Sequence, residues 1–349
     1  MNYKGLSLFA NVGIAETYLN KIGYPIVLAN ELLEERAKFY KHLHGHDVIA
    51  GDITNKEIFK NIISSAKEKN VNFIMATPPC QGMSVAGQMK EDDPRNSLII
   101  KAMEAFKELK PEFMLIENVP QMFRTSILVK GKSVNIKDYI QDIANKMGYK
   151  VKFDIFDAAD YGTPQNRKRS FTRIYKDNYE WSDPKKQKWI TVKESIGDLP
   201  SLESGEKSDF HKFHYAKKHN DNHVLWMKHT PPGKTAHENK VYFPQKDGRK
   251  IKGFATTYKR IAWDKPAPTI TMANGSVSSQ NNVHPGRLKE DGTYSDARVL
   301  TLLEIIRLTG LPDSWNPPGW ANDNIIRHVI GEAIPPRLVE AIFRGLKCQ

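Results

Sequence analysis

The chain has 349 residues, of which 40% are hydrophobic and 26% charged, so it is too apolar for a disordered protein and long enough for one large or two modest domains. Its two cysteines, Cys80 and Cys348, exclude a disulfide framework and a four-cysteine zinc site, and reduced thiols indicate an intracellular protein. No stretch approaches 18 apolar residues and the first residues lack the pattern of a secretion signal, which argues against a membrane protein.

Positive charge is concentrated in one part of the chain. Lysine and arginine number 52 against 40 aspartates and glutamates, and residues 176–260 hold 18 of these cations against 11 of the acids. Such a basic surface suits a polyanionic partner such as nucleic acid, although an ordinary solvated surface has the same composition.

The first 120 residues alternate short β-branched runs with stretches of helical period. We predict strands over residues 6–10, 26–30, 47–50, 71–77 and 113–117, and helices from about residue 16 and over 32–42, 56–67 and 96–109. This alternation predicts a doubly wound, mostly parallel α/β sheet of the Rossmann-like type. Ligands of such sheets bind beyond the carboxyl ends of the strands.

After a predicted strand over residues 171–174 the regular period is lost. Residues 176–295 are rich in Lys, His, Pro, Gly, Asn and Ser, which is typical of irregular structure built from loops and short strands. We therefore predict a smaller, irregular, β-rich domain over 176–324 and a first domain made of 1–175 with 325–349. Helices are expected over 298–308 and from about 335 to 341.

Three predicted strand ends carry features suited to an adenosine-containing cofactor. The loop after the first strand has a single glycine, Gly13, and lacks the three-glycine dinucleotide pattern. Glu31 closes the second strand, where a carboxylate can accept hydrogen bonds from ribose hydroxyls. Asp52 follows the third strand and can accept from an adenine amine. Each acid alone is more often a solvated loop residue, and only the combination indicates a cofactor site.

Cys80 follows the fourth predicted strand, in the run Thr-Pro-Pro-Cys-Gln-Gly that begins at Thr77. The two prolines fix the backbone, and a thiol at a strand end can be activated as a nucleophile, although free cysteines are also common as inert core residues. Glu117 closes the fifth strand, which we expect to lie beside the fourth. A thiol and a carboxyl in one small volume suit attack on an electron-poor ring whose nitrogen is protonated.

Gln165, Arg167 and Arg169 occupy alternate positions. On a strand these side chains would point to the same side, and we predict that arrangement here. A salt-bridged surface strand is the alternative.

His42, His44 and His46 recur at the end of the second predicted helix. No matching cysteine or acid cluster accompanies them, so we expect no metal site.

Taken together, these features resemble the DNA cytosine-5 methyltransferases of prokaryotic restriction–modification systems. The matching blocks follow the family's order and lie at residues 9–13, 31, 52–53, 79–81, 93–98, 117–119, 165–169, 298–301, 307–312 and 331–336. The unmatched basic region corresponds to the family's variable target-recognition part. Asn11 stands where the family commonly has glycine, and Glu332 stands where it has asparagine, which puts an extra negative charge near the cofactor.

The resemblance implies a class I methyltransferase fold and S-adenosylmethionine as methyl donor, with S-adenosylhomocysteine as product. The residues that it places at the donor are Phe9, Asn11, Val12, Gly13, Glu31, Leu32, Asp52, Ile53, Pro79, Leu98, Glu332 and Ile334.

By the same resemblance, Cys80 attacks carbon 6 of a flipped-out cytosine while Glu117 holds the ring's N3 and amine. Arg167 braces that carboxylate, and Asn118 and Gln165 support the site.

The implied partner is double-stranded DNA. We expect it to be contacted by Gln81, Ser84, Arg169, Lys217, Lys218, Lys234, Arg249, Lys250, Lys259 and Arg260, and we expect base reading within residues 269–282. A cognate restriction endonuclease acting independently, a monomeric state and a cytoplasmic location at the nucleoid are further expectations.

Three alternatives remain open from the sequence. A close relative within the family methylates transfer RNA, and Asn11 and Glu332 make a catalytically silent DNA-binding regulator conceivable. A nicotinamide oxidoreductase on the same layout is disfavoured by the missing three-glycine loop.

Overall fold

The computed structural model describes residues 2–79 and 98–349. The chain divides into two compact units. The first, called here the sheet unit, comprises Met1–Asp157, Lys168–Lys185 and Leu338–Gln349. The second, called the loop-rich unit, comprises Ala158–Arg167 and Lys186–Arg337. The boundaries predicted at residues 175 and 324 stay a prediction about functional domains.

The strands and helices of the described residues are as follows. The strands are β1 (Gly5–Leu8), β2 (Ile26–Glu31), β3 (Asp47–Ala50), β4 (Phe73–Ala76), β5 (Phe113–Asn118), β6 (Ser126–Val129), β7 (Lys132–Asn135), β8 (Tyr149–Asp157), β9 (Lys168–Lys176), β10 (Tyr179–Trp181), β11 (Gln245–Lys246), β12 (Arg249–Lys250) and β13 (Leu346–Cys348). The α-helices are α1 (Glu34–His44), α2 (Lys56–Glu68), α3 (Leu98–Leu109), α4 (Ile136–Lys146), α5 (Val192–Ile196), α6 (Asp221–Lys228), α7 (Leu302–Leu308), α8 (Asp323–Glu332) and α9 (Pro336–Arg344).

Seven strands form one sheet in the order β3-β2-β1-β4-β5-β9-β8. The first five strands of the chain run parallel to one another, whereas β9 is antiparallel to both β5 and β8. The prediction of a doubly wound, mostly parallel sheet is confirmed, and so is the adjacency of β4 and β5, in which Met75 lies opposite Leu115.

Burial explains why the central strands read as continuous apolar runs. Every residue of β1, β4 and β5 is buried, as expected for parallel strands covered on both faces. The core beside them is formed largely by apolar side chains of α2, α3 and α4, including Ile62, Phe106 and Ile140. The polar residues that end β5 are therefore exceptions within a buried strand.

The segment after β1 differs from the prediction. Instead of an α-helix from about residue 16, the structure has two short 3-10 turns, Ile14–Glu16 and Asn20–Ile22. Gly13 and Gly23 flank them in left-handed conformation, with φ of 75° and 88°. A left-handed backbone at these two glycines interrupts a right-handed helix on both sides of the stretch.

The loop-rich unit is irregular, as predicted. Its described strand pairing consists of the β11–β12 hairpin and isolated bridges, and a small apolar core includes Trp226, Val283 and Val299. The helix expected from residue 298 begins at Leu302, because Thr301 and Glu304 form a capping box. Helix α8 was not predicted.

In the part of the chain that the structure describes, every helix is too short or too polar to cross a bilayer.

Candidate active site

The loop after β1 has an unusual backbone. Phe9, Asn11 and Gly13 all have positive φ, of 60°, 50° and 75°. Asparagine is among the few residues other than glycine that adopt this conformation readily. The substitution of asparagine for the family's glycine at position 11 is therefore compatible with the loop.

Glu31 ties this loop to the end of β2. One carboxylate oxygen accepts a hydrogen bond from the backbone N–H of Asn11 at 2.8 Å, and the other accepts from Leu33 N–H at 3.1 Å. The residue is 6% exposed. Because each carboxylate oxygen can accept further hydrogen bonds, Glu31 retains capacity for hydroxyl donors of a ligand.

The neighbouring strand end supplies the other predicted adenosine contacts. Glu31 lies opposite Ala50 in the β2–β3 register, so Asp52 follows at the same edge of the sheet. Asp52 is exposed, and its Oδ1 accepts from Thr54 N–H at 2.8 Å. Leu32, at 60% exposure, offers an apolar surface there. An exposed apolar side chain beside hydrogen-bond acceptors fits an adenosine group.

The remaining apolar residues that the resemblance assigns to the methyl donor differ in how exposed their side chains are. Val12 and Ile53 are buried in the core, at 0% and 3% exposure, so they shape the loops that carry them. Phe9, Pro79 and Leu98 are half-buried. The Phe9 carbonyl accepts from the Thr77 hydroxyl at 2.9 Å, which links the ends of β1 and β4.

The ends of β4 and β5 are joined by a side chain. Asn118 Nδ2 donates to the carbonyl of Pro78 at 3.0 Å, and Asn118 is 2% exposed. Cys80, Gln81 and Ser84 lie outside the described residues, but Pro78 is two positions ahead of Cys80. Asn118 therefore fixes the segment that leads into the predicted nucleophile.

Glu117 is paired with an arginine that sequence reasoning assigned elsewhere. Arg169 Nε lies 3.1 Å from Glu117 Oε1, and their side chains are 16% and 8% exposed. We had predicted Arg169 as a DNA contact. In the structure its guanidinium is part of the arrangement around the buried carboxylate.

Ser170 is a site residue that sequence reasoning missed. Its hydroxyl contacts the carbonyl oxygens of Asn118 and Val119 at 3.1 and 2.9 Å, which holds the turn after β5. The antiparallel register that sets Ser170 opposite Asn118 explains this role. The role of Ser170 could have been predicted only if the pairing of β5 with β9 had been known.

The prediction that Gln165, Arg167 and Arg169 share one strand face is wrong. Strand β9 begins at Lys168, and the bridge between Gln165 and Ala267 places the two earlier residues in the loop-rich unit. The β8–β9 ladder ends at Lys168, and the backbone N–H of Asn166 donates to Ala267 O at 2.8 Å instead.

Both earlier residues are buried and hold segments of the loop-rich unit together. Arg167 donates to the carbonyls of Ile270, Gly331 and Glu332 at 2.9, 2.9 and 3.1 Å. Gln165 donates to Leu308 O at 3.2 Å and accepts from Ile270 N–H at 3.1 Å.

The end of α8 carries the two remaining predicted donor residues. Ile334 is buried, at 6% exposure. The carboxylate of Glu332 lies 3.2 Å from Nε2 of His328, one turn earlier in the helix. The extra acid therefore has a local partner that gains positive charge when protonated.

The predicted DNA-contacting cations fall into two groups. Lys218, Arg249 and Lys259 make no ion pair with described residues, and Lys250 lies 5.0 Å from the centre of the Phe243 ring. By contrast, Lys217 lies 2.8 Å from Asp323, and Lys234 lies 3.2 Å from Glu238. The cations of the first group are therefore the ones available to bind a phosphate.

Arg260 does not fit the phosphate contact predicted for it. It is completely buried, and its guanidinium donates to the carbonyls of Met227, His284, Ser295 and Asp296. This arginine is a structural link of the loop-rich unit, because its donors are already used inside the protein.

Two of the three histidines at the end of α1 pack in a row with an aromatic ring. The rings of His44 and His46 are 6.1 Å apart, and His44 packs on Tyr40. Within residues 2–79 and 98–349, no group of three or more His, Cys, Asp or Glu side chains is placed to hold a metal ion.

Comparison with known proteins agrees with this geometry. A sequence model of the family "C-5 cytosine-specific DNA methylase" matches residues 3–348. The Type II methyltransferase M1.HgaI of Avibacterium volantium is 47% identical over 99% of this chain and 98% of its own length. The Type II methyltransferase M1.HphI of Haemophilus parahaemolyticus is 28% identical over 99% and 87%.

Solved structures show the same fold. A prophage-encoded protein of E. coli superimposes with a TM-score of 0.68 at 20% identity, covering 98% of both chains. The Entamoeba histolytica methyltransferase EhMeth gives 0.67 at 13% identity, covering 99% of this chain and 98% of its own.

The mostly parallel sheet, its likeness to solved structures and the family model together show a class I methyltransferase fold. More narrowly, the chain belongs to the C-5 cytosine-specific DNA methylase family and is a DNA cytosine-5 methyltransferase with restriction–modification relatives.

Proposed function

We propose that this enzyme methylates carbon 5 of a cytosine flipped out of duplex DNA, with Cys80 as nucleophile and Glu117 as its acid–base partner. The observation that carries the proposal is the junction of β4 and β5, where Asn118 holds Pro78 and Glu117 lies one residue before Asn118. The base-binding carboxylate and the segment ahead of Cys80 are thereby fixed to each other.

S-adenosylmethionine would supply an electrophilic methyl group when bound. We assign its ribose to Glu31 and its adenine to Leu32 and Asp52, because their acceptors and exposed apolar surface suit these groups.

The residues of this chain act on the cytosine ring in the following order. The Cys80 thiolate forms a bond to carbon 6, and Glu117 shares a proton with N3, so that the electron pair becomes available at carbon 5. Once the methyl group is on carbon 5, a water molecule takes the carbon-5 proton and the bond between carbon 6 and sulfur breaks to release the Cys80 thiolate. Glu117 takes back the proton from N3, and the aromatic ring is restored. Arg169, 3.1 Å from Glu117, orients the carboxylate during these proton movements.

A covalent adduct with modified DNA tests the nucleophile. Duplex DNA with 5-fluorocytosine at the target cannot lose the group at carbon 5, so the enzyme should remain attached in the presence of the methyl donor. We expect a denaturation-resistant complex on gels with the unaltered protein and none with Cys80→Ser. The exposed cysteine variant Cys348→Ser is the matched control and should form the complex normally. A complex formed by Cys80→Ser would refute the assignment.

For the DNA-reading surface we propose a cavity of about 560 Å³ in the loop-rich unit. Its lining includes Lys259, Lys265, Gln280 and Asn281, whose side chains make no hydrogen bond or ion pair within the described residues. Lysines suit phosphates and carboxamides suit base edges. This lining supports base reading within residues 269–282.

We also infer that the enzyme protects DNA from an independent cognate endonuclease, as the Type II names of its relatives suggest. Bisulfite sequencing of DNA from cells that express the protein would give the methylated sequence. Random methylation would contradict this role.

A further inference from the structure

Behind the loop after β1 lies a polar contact that the catalytic scheme does not use. Glu16, in the first 3-10 turn, and Tyr40, in α1, are 5% and 0% exposed. The Tyr40 hydroxyl donates a hydrogen bond to the Glu16 carboxylate. Burying a carboxyl is unfavourable unless it is well bonded, so its presence here needs a compensating role.

The same helix packs a second ring against the loop. His44 lies on Tyr40 with ring centres 4.7 Å apart. A Cβ atom built on Gly13 would overlap the His44 ring and come within 2.7 Å of Tyr40 Cε2. The backbone at Gly13 therefore packs directly against this ring pair. A shift of either ring toward Gly13 would displace the loop.

The charge of this cluster depends on one group near neutral pH. Burial raises the pKa of Glu16 to about 7, against the opposing effect of the Ser7 and Tyr40 hydroxyls. Burial and then His46 lower the pKa of His44 to about 4, and burial raises the pKa of Tyr40 well above 10. Tyr40 is the titratable group that faces Glu16 directly, with His44 and His46 stacked in turn behind it.

We propose that Glu16, Tyr40 and His44 are positioning residues that hold the loop after β1 in the shape that binds the methyl donor. The inference rests on the assignment of that loop to S-adenosylmethionine. The cluster acts through the backbone at Gly13 and not on the reacting atoms.

Removing one hydroxyl tests the idea with little change of volume. We expect Tyr40→Phe to raise the dissociation constant for S-adenosylmethionine, measured by isothermal titration calorimetry, about tenfold, because a hydrogen bond to a charged group is lost. The kcat at saturating donor should stay within about twofold, since the loop shape is restored when the donor is bound. Tyr149→Phe is the matched control, because that buried hydroxyl donates to Pro111 O at 2.7 Å in the same unit.

A second variant separates positioning from simple destabilisation. Glu16→Gln keeps an acceptor for Tyr40 but cannot ionise. In the unaltered protein the Tyr40 hydroxyl bonds more strongly to an ionised carboxylate, so the loop should be held better and the donor should bind more tightly as Glu16 ionises between pH 6 and 8. The variant should lose this part of the pH profile. The measurement is the dissociation constant at several pH values.

Three results would overturn the inference. The first is that Tyr40→Phe and Tyr149→Phe lose the same thermal stability and bind the donor equally tightly. The contact between Tyr40 and Glu16 would then contribute to stability alone. The Glu16→Gln profile could match that of the unaltered protein. The unaltered protein could fail to bind the donor at all, which would also refute the proposed cofactor and is recognisable because no variant is needed to see it.

Discussion

At the scale of single residues, Arg169 could act in one of two ways, by orienting Glu117 or by binding DNA. An ion pair with Glu117 predicts that loss of the guanidinium affects chemistry more than DNA affinity. We expect Arg169→Met to lower kcat at least about tenfold, while the dissociation constant for duplex DNA changes less than about threefold. Lys168→Met, at the exposed neighbouring position, is the control for loss of one charge. Weaker DNA binding at unchanged kcat would contradict this role and would support the DNA contact predicted for Arg169 from the sequence.

Glu117 itself gives the stronger test of the catalytic scheme. We expect Glu117→Ala and the better-matched Glu117→Gln to lower the rate of methyl transfer at least about 100-fold, the usual scale for loss of acid–base catalysis. Single-turnover transfer of a labelled methyl group measures this directly. Turnover near that of the unaltered enzyme would exclude the role.

At the same scale, the sequence was informative about residue types and uninformative about partners. The adjacency of strands β4 and β5 was predicted from the α/β pattern and is confirmed, whereas the placement of Cys80 beside Glu117 stays a prediction because Cys80 lies outside the described residues. The ion pair of Arg169 was not predicted, because its partner Glu117 lies 52 positions away across the antiparallel β5–β9 pair. Arg260 was misread because charge in a sequence does not reveal burial.

At the scale of elements, the loop after β1 shows how a departure from a family pattern can be tolerated. Asn11 has φ of 50°, so Asn11→Gly should leave the affinity for S-adenosylmethionine within about twofold. Asn11→Val should lower that affinity about tenfold or more, because a β-branched residue is strained in this conformation. Asn70→Val is the control, since Asn70 has φ of 56° in the turn after α2. Equal donor binding by both valine variants would contradict this account.

Elements with a strong periodic pattern were predictable and those fixed by tertiary contacts were not. The bounds of β3 agree with the prediction, and α2 differs from it by one residue. The 3-10 turns after Gly13 replace a predicted helix, and they are bounded by two glycines whose left-handed conformation a right-handed helix does not allow. Helix α8 escaped prediction, although Asn322 caps its first turn.

At the scale of the whole molecule, buried charges make stability depend on pH. Burial lowers the pKa of His284 to about 3, and Arg298 lowers the pKa of Glu304 to about 2 although burial alone would raise it. Both groups bind protons more readily when unfolded, so the free energy of unfolding falls as pH drops below about 6.5 for the histidine and below about 4.5 for the glutamate. Glu16, whose pKa is raised to about 7 in the folded protein, acts in the opposite direction, but His44, whose pKa is lowered to about 4, adds to the loss. We therefore expect the Tm measured by calorimetry to fall as the pH is lowered from 7 to 4.

A variant isolates the histidine's share of this effect. His284→Gln removes the titrating ring, so its Tm should fall less steeply between pH 6.5 and 5 than that of the unaltered protein. His42→Gln, at an exposed histidine in the sheet unit, is the control. Identical slopes for all three proteins would show that His284 does not carry the dependence.

One pairing in the sheet unit bears on how the protein is made in the cell. Strand β10 pairs with β13, so Trp181 lies opposite Leu346, and the Trp181 indole N–H donates to Ile342 O at 2.8 Å. During translation, a nascent chain that ends before α9 already contains every strand of the seven-stranded sheet but lacks the part of this tryptophan's cover that α9 and β13 supply. The ribosome must add residues 342–348 before the edge is protected, and until then this hydrophobic seam is a place where chaperones can bind.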